Sequence, residues 1–192
     1  MLVQRIKLIS PKIYERLLIY KQYILAYDFT TRYGTTIKAD TEVEAYKEGC
    51  FKRFTVARER EFAVGVFAKA GTEVELFNTG ELKRCTLAND VKRENGIVIQ
   101  AGTEIEYFEG GILKKFIPMN DFSISDDFII KGGYIAEAFK NDYLKKGTLA
   151  QNVVLKKSGA VLKADSEIEL FENSFLKSGV LAEDHIWSEP LF

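Results

Sequence analysis

The most constraining feature of this 192-residue sequence is a repeat of about 31 residues. The stretch "KAGTEVELFNTGELKRCTLAND", from Lys69 to Asp90, returns as "QAGTEIEYFEGGILKKFIPMND", from Gln100 to Asp121. Similarity at a fixed period indicates a repeat architecture, in which each copy buries its apolar face against its neighbours. The columns that define five copies are Thr41, Thr72, Thr103, Tyr134 and Ser166; Glu44, Glu75, Glu106, Glu137 and Glu169; and Lys52, Lys83, Lys114, Lys145 and Lys177.

The repeat sets the expected domain organisation. Residues 1–192 are predicted to form a single repeat domain, with a degenerate copy at 1–35 as an N-terminal cap. The five repeats occupy residues 36–187, and residues 188–192 are a C-terminal tail. Stability should therefore come from contacts between neighbouring copies.

Each copy has the alternating pattern of short β-strands. In the second copy, "GVFAK", "EVELF" and "LKRCTLA" predict three strands. The turn after the first strand needs residues that tolerate positive φ, and Gly71 lies there. A two-residue loop, Thr79-Gly80, is predicted between the second and third strands. The predicted fold class is all-β, an elongated repeat array or solenoid of about five 31-residue three-stranded hairpin repeats.

The loop length predicts which residues face each other across the hairpin. Glu75 should face Arg84, and equivalent pairs of opposite charge recur in three other copies. In the last copy Glu169 should face Ser178, which has no charge. The three other charged pairs are Glu44 with Arg53, Glu106 with Lys115 and Glu137 with Lys146. Phe77 should face Leu82 on the same face of the sheet. The opposite face, with Val74 and Cys85, is the expected core face.

The Phe and Leu columns give the best candidates for a binding surface. In a sheet with one solvent-facing side they would form an exposed apolar stripe, and such a stripe marks a partner site. In a chain that folds back on itself they would be buried. The candidate binding-surface residues are Phe77, Leu82, Phe108, Leu113, Phe139, Leu144, Phe171 and Leu176.

The segments "TEVELFNTGELKRCTLAND" and "TEIEYFEGGILKKF" resemble the bacterial F-Y-E-N-G-x-L-K repeats. These are MORN-like hairpin repeats, also found in the YwqK-type antitoxin proteins. The resemblance covers residues 36–187. It implies an array of β-hairpins used for binding or as a scaffold, and it implies no catalytic or cofactor-binding residue.

The residues of known chemistry do not form an enzyme's site in this sequence. His185 is the only histidine, so one chain cannot supply a multi-histidine metal site. Each column Glu is expected to pair with a basic residue, which would compete with a cation. Cys50 and Cys85 are predicted to be free thiols, with Cys85 buried. We therefore predict no catalytic residue, no metal and no cofactor.

Composition limits the classes of partner. The 27 Lys and Arg residues nearly balance the 28 Asp and Glu residues, which argues against a nucleic-acid groove. No apolar run reaches the roughly 18 residues of a membrane span. The protein is expected to be cytoplasmic if its N-terminus is native, and an envelope or secreted protein if a signal was removed.

Three functions remain open from the sequence. The leading hypothesis is a non-enzymatic β-repeat protein that acts as a protein-interaction or scaffold module. The alternatives are a structural component of a bacterial envelope or secreted assembly, and an antitoxin-like partner binder. An unknown protein partner is expected, and edge strands allow pairing with a second copy as a homo-oligomer. A site confined to one copy would favour an enzyme.

Overall fold

The alternating residues of the repeats form β-structure in every part of the chain that is described. A computed structural model of the protein describes residues 5–6, 22–31, 33–46, 50–124 and 128–183. Within these ranges it contains 22 strands and no helix. The protein is therefore all-β and built from hairpins, as the period-2 pattern predicts. His185, the C-terminal tail and most of the N-terminal cap lie outside the described residues.

The strands are short, between two and five residues each. In chain order they are β1 (Arg5–Ile6), β2 (Gln22–Leu25), β3 (Phe29–Thr30), β4 (Thr36–Ile37), β5 (Glu42–Ala45), β6 (Phe51–Thr55), β7 (Arg60–Ala63), β8 (Val66–Ala68), β9 (Glu73–Leu76), β10 (Leu82–Thr86), β11 (Val91–Lys92), β12 (Val98–Ile99), β13 (Glu104–Tyr107), β14 (Leu113–Phe116), β15 (Phe122–Ser123), β16 (Ile129–Ile130), β17 (Ala136–Ala138), β18 (Leu144–Thr148), β19 (Val153–Val154), β20 (Val161–Leu162), β21 (Glu167–Leu170) and β22 (Leu176–Ser178).

The chain divides into two compact units. The N-terminal unit comprises residues 1–91 and 100–112, and the C-terminal unit comprises residues 92–99 and 113–192. In the N-terminal unit the sheet order is β1-β2-β5-β6-β9-β10-β13, and in the C-terminal unit it is β14-β17-β18-β21-β22. Strands β1 and β2 pair in parallel, and all other neighbouring strands in these two orders pair antiparallel.

Each repeat contributes four strands, one more than predicted. Two belong to the sheet of the unit, and two belong to short hairpins such as β7–β8, β15–β16 and β19–β20. The prediction omitted the first strand of these short hairpins. Strands of two residues, such as β15 and β19, are too short to show a recognisable alternation.

The short hairpins cover one face of each sheet. Their second strands form antiparallel bridges to residues just beyond a sheet strand, as in the pairs Ala68 with Leu87 and Ile130 with Leu149. The apolar side chains between these two layers are fully buried and form the core. The expected core face is confirmed by the burial of Val74, Cys85, Leu87, Ile105, Phe116, Ile168 and Leu170.

The hydroxyl side chains of the Thr column hold the turn that precedes four of the five sheet hairpins. The hydroxyl of Thr72 donates to the carbonyl of Lys69 at 2.6 Å, three residues before it. Thr41, Thr103 and Ser166 make the same bond. The positive φ expected at this turn is confirmed at Asp40, Gly71, Gly102, Gly133 and Asp165.

The Asp that ends the repeat ties this same turn to the previous hairpin. The Asp90 carboxylate accepts a 2.7 Å hydrogen bond from the backbone N–H of Ala101. Asp28, Asp121 and Asn152 accept from the equivalent N–H of Ala39, Gly132 and Ala164. The Asp or Asn at these four positions of the column therefore has a structural role, whereas the remaining described copy has Glu59 there.

The loops of the sheet hairpins contain three residues instead of the predicted two. The Phe77 N–H donates to the carbonyl of Glu81, and the Gly80 N–H donates to the carbonyl of Phe77. Gly80 has a φ of 87°. This arrangement is a turn closed by a residue in the left-handed conformation, a common hairpin loop.

A β-bulge follows each of these loops and changes the predicted register. Glu75 faces Arg84 as predicted, but Leu82 faces Leu76, with Lys83 as the extra residue. The prediction that Phe77 faces Leu82 was wrong because an extra residue shifts all pairs beyond it. The pairs Glu44 with Arg53, Glu137 with Lys146 and Glu169 with Ser178 are confirmed.

Candidate functional site

Ion pairs line the sheet face of the N-terminal unit that is opposite the core. The bulge places two basic residues against one Glu, so Glu75 contacts Lys83 at 2.6 Å and Arg84 at 3.5 Å. Arg84 also contacts Glu73 and Glu104 on the two neighbouring strands. The predicted pairing of the Glu column with basic residues is confirmed here.

The C-terminal unit repeats this arrangement. Lys145 contacts Glu137 at 3.3 Å, and Lys177 contacts Glu169 at 2.9 Å. The hydrogen bond from Lys177 lowers the pKa of the Glu169 carboxyl, as expected for an acid beside a cation. Since the charges of both signs alternate and satisfy each other, this face presents little net charge to a ligand.

The bulge also decides where the predicted stripe residues lie. Leu82, Leu113 and Leu144 are buried. At Leu82 and Leu144 the extra residue of the bulge turns the side chain from the charged face to the core face. They are therefore not part of an exposed stripe. Their aromatic column partners Phe77, Phe108 and Phe139 are half-buried, as is Leu176.

Phe171 is the one stripe candidate that is largely exposed among the eight, all of which lie in described ranges. It belongs to the β21–β22 hairpin, beside the β17–β18 hairpin in the C-terminal unit. The exposed fractions of the aromatic side chains at these two loops are 56% for Tyr143, 50% for Phe171 and 66% for Phe175. We call these three residues the tip patch. Adjacent strands lie about 4.8 Å apart, so the two loops are side by side.

A cavity of 180 Å³ lies next to the tip patch, inside the C-terminal unit. Its apolar wall includes the rings of Phe116 and Phe122, whose centroids are 6.2 Å apart. Its rim is polar. The lining residues are Arg93, Asn95, Ile97, Phe116, Phe122, Ser123, Ile124, Ala138, Asp142, Tyr143 and Leu144.

The cavity lies where one pair of facing side chains is smaller than its equivalents. Leu76 faces Leu82, and Leu170 faces Leu176. The first copy has Ala45 at this position, but it faces the larger Phe51. In the β17–β18 hairpin the small Ala138 faces Leu144, which is no larger than the leucines of the other copies. Because neither residue compensates for the other, the space between the layers is not filled.

Two charged residues at the rim depart from their columns. Arg93 lies where the preceding and following copies have Phe62 and Ile124. Asp142 has a φ of 66° at the loop position where the second copy has Gly80. The two side chains form a double hydrogen bond at 3.2 and 3.1 Å. An Asp tolerates this backbone conformation better than most residues do.

The cavity was not found from the sequence, although one of its signals was visible. The change from Phe62 to Arg93 and from Gly to Asp142 can be read from aligned copies. Their contact spans 49 residues in sequence, so only the fold shows that they meet. The bulge that determines which residue faces Ala138 could not be predicted from the sequence either.

The remaining candidate groups have structural roles. Both cysteines are free, Cys50 exposed and Cys85 buried. Burial raises the pKa of the Cys85 thiol to about 12, so it stays protonated. No group of three His, Cys, Asp or Glu side chains in the described ranges is placed to hold a metal ion. The same ranges contain no helix long and apolar enough to span a bilayer.

Comparison with known proteins gives no family for this chain. No protein-family model matches it, and no curated protein matches it.

Proposed function

We propose that this protein is a non-enzymatic β-repeat module that binds a protein partner through the tip patch. The observation that carries this proposal is the exposure of Tyr143, Phe171 and Phe175 on two adjacent loops of the C-terminal unit. Large exposed aromatic side chains in one place are typical of binding surfaces.

The equivalent loops of the N-terminal unit support this choice of surface. The positions equivalent to Tyr143 and Phe175 hold the exposed residues Cys50 and Glu81. Folding of the hairpin therefore does not require an aromatic residue there. Aromatic residues bury a large area with few rotatable bonds, which favours their use as anchors for a partner.

A comparative capture experiment tests this proposal. Partners are cross-linked to the full chain in an extract of the cells that make it, identified, purified and titrated by calorimetry. We expect the double variant Phe171→Ser with Phe175→Ser to bind the purified partner at least about tenfold more weakly. Tyr143 is left unchanged because it also lines the cavity.

The N-terminal unit supplies a matched control. Tyr27 and Tyr33 are exposed to 59% and 69%, and the double variant Tyr27→Ser with Tyr33→Ser should bind the partner as the wild type does. Equal affinity of both double variants for the partner would contradict the proposal. A captured partner that is a second copy of the chain would instead identify a homo-oligomer.

A further inference from the structure

The cavity beside the tip patch has the size and the lining of a site for one aromatic ring. An enclosed apolar protein cavity of about 150 Å³ accommodates benzene. This cavity measures 180 Å³, is partly open to solvent and has both polar and apolar walls. Phe116 and Phe122 are tilted by 40° to each other, and an aromatic ring packs favourably on another in an offset-stacked or edge-to-face arrangement. A planar ring therefore suits these walls.

The polar rim indicates which substituent a bound ring should have. The Arg93 guanidinium has five N–H donors, two of which donate to Asp142. The remaining donors are the groups that would bind an oxygen on the ring. Because Arg93 and Asp142 neutralise each other, the rim favours an uncharged ligand over an ion.

We propose that this cavity binds a phenolic ring, and that the tyrosine side chain of the protein partner supplies it. The proposal deepens the proposed function, since the partner would use this cavity next to the tip patch. A free phenol has the same chemistry, so the test must distinguish the two sources.

The first measurement is a titration of the full chain with p-cresol, followed by methyl NMR. We expect saturable shifts confined to the methyl groups around the cavity, including Ile97, Ile124 and Leu144. Toluene should bind about threefold to tenfold more weakly, because it lacks the oxygen. Absence of saturable binding, or equal binding of toluene, would overturn the proposal.

The substitution Ala138→Leu gives the most informative variant. It introduces the residue that Leu76 and Leu170 supply at equivalent positions, so it fills the cavity with a side chain that the repeat accepts. We expect at least a tenfold loss of p-cresol affinity with a melting temperature no lower than that of the wild type. Wild-type affinity in this folded variant would show that p-cresol binds elsewhere.

The polar rim needs its own variant. Arg93→Ile takes the residue of the next copy, Ile124, and keeps the apolar walls. It should reduce p-cresol affinity to about that of toluene. If p-cresol still binds more tightly than toluene in this variant, Arg93 does not recognise the oxygen.

N-acetyltyrosinamide separates the two sources of the ring. If a tyrosine of the partner is the ligand, this amide should shift the same methyl groups as p-cresol, and the phenylalanine amide should bind more weakly. Binding of p-cresol without binding of the tyrosine amide would overturn the assignment to a partner. The Phe171→Ser with Phe175→Ser variant should retain p-cresol binding, so failure of the capture experiment and failure of this one are distinguishable.

Discussion

Two residues place a pair of opposite charges at the β17–β18 hairpin, and the other described copies lack this pair. Arg93 and Asp142 each replace an apolar or small residue of their column, and they contact each other through two hydrogen bonds. A single one of these changes would leave a charge without its partner. Their joint presence indicates that the rim of the cavity is a feature of this copy alone among the described ones.

The two thiols should differ sharply in reactivity. At pH 8, iodoacetamide should modify Cys50 in the folded protein and should modify Cys85 only after denaturation, because the thiolate is the reactive form. Mass spectrometry of the labelled chain measures this. Similar rates at both residues would contradict the burial of Cys85.

The raised pKa of Cys85 also predicts how stability changes with pH. In the unfolded chain the thiol has a pKa of about 8.5, and in the folded protein it is raised to about 12. The contribution of the neutral thiol to the free energy of unfolding is complete below pH 8.5, and it is lost as the pH rises toward 12.

At the scale of the element, the carboxylate of Asp90 accepts a hydrogen bond from the turn before the β13 strand. We expect Asp90→Ala to lower the free energy of unfolding by about 0.5–1.5 kcal/mol, because the N–H of Ala101 loses its acceptor. Urea unfolding measures the difference. Asp90→Asn keeps an acceptor, as Asn152 does naturally, and should cost less. Equal losses of unfolding free energy in the two variants would show that the negative charge of Asp90 stabilises the turn and that a neutral acceptor does not.

Much of the β9–β10 sheet hairpin was predictable from the sequence. The assumed loop length predicted the pairing of Glu75 with Arg84, and the opposite charges at these two positions supported that register. The loop was predicted one residue too short, since Asn78, Thr79 and Gly80 fit both loop types. That single residue decides whether Leu82 faces solvent or the core.

At the scale of the whole molecule, the exposed surfaces differ in what they offer a partner. The charged face of each sheet satisfies its own charges, as Glu75 with Lys83 and Glu169 with Lys177 illustrate. Exposed ion pairs contribute little to stability, about 0–1 kcal/mol each. The tip patch offers apolar area instead, which we take as the interaction surface.

We expect the aromatic residues of the tip patch at Phe171 and Phe175 to have no role in folding, whereas the buried leucines of the neighbouring column do. Urea unfolding of Phe171→Ser with Phe175→Ser, compared with Leu113→Ala, tests it most directly. We expect the double variant to stay within about 1 kcal/mol of the wild type. Leu113 is 2% exposed, and its truncation should cost about 2–5 kcal/mol. A double variant as unstable as Leu113→Ala would show that these aromatic residues belong to the core, and the tip patch could then not be a surface reserved for binding.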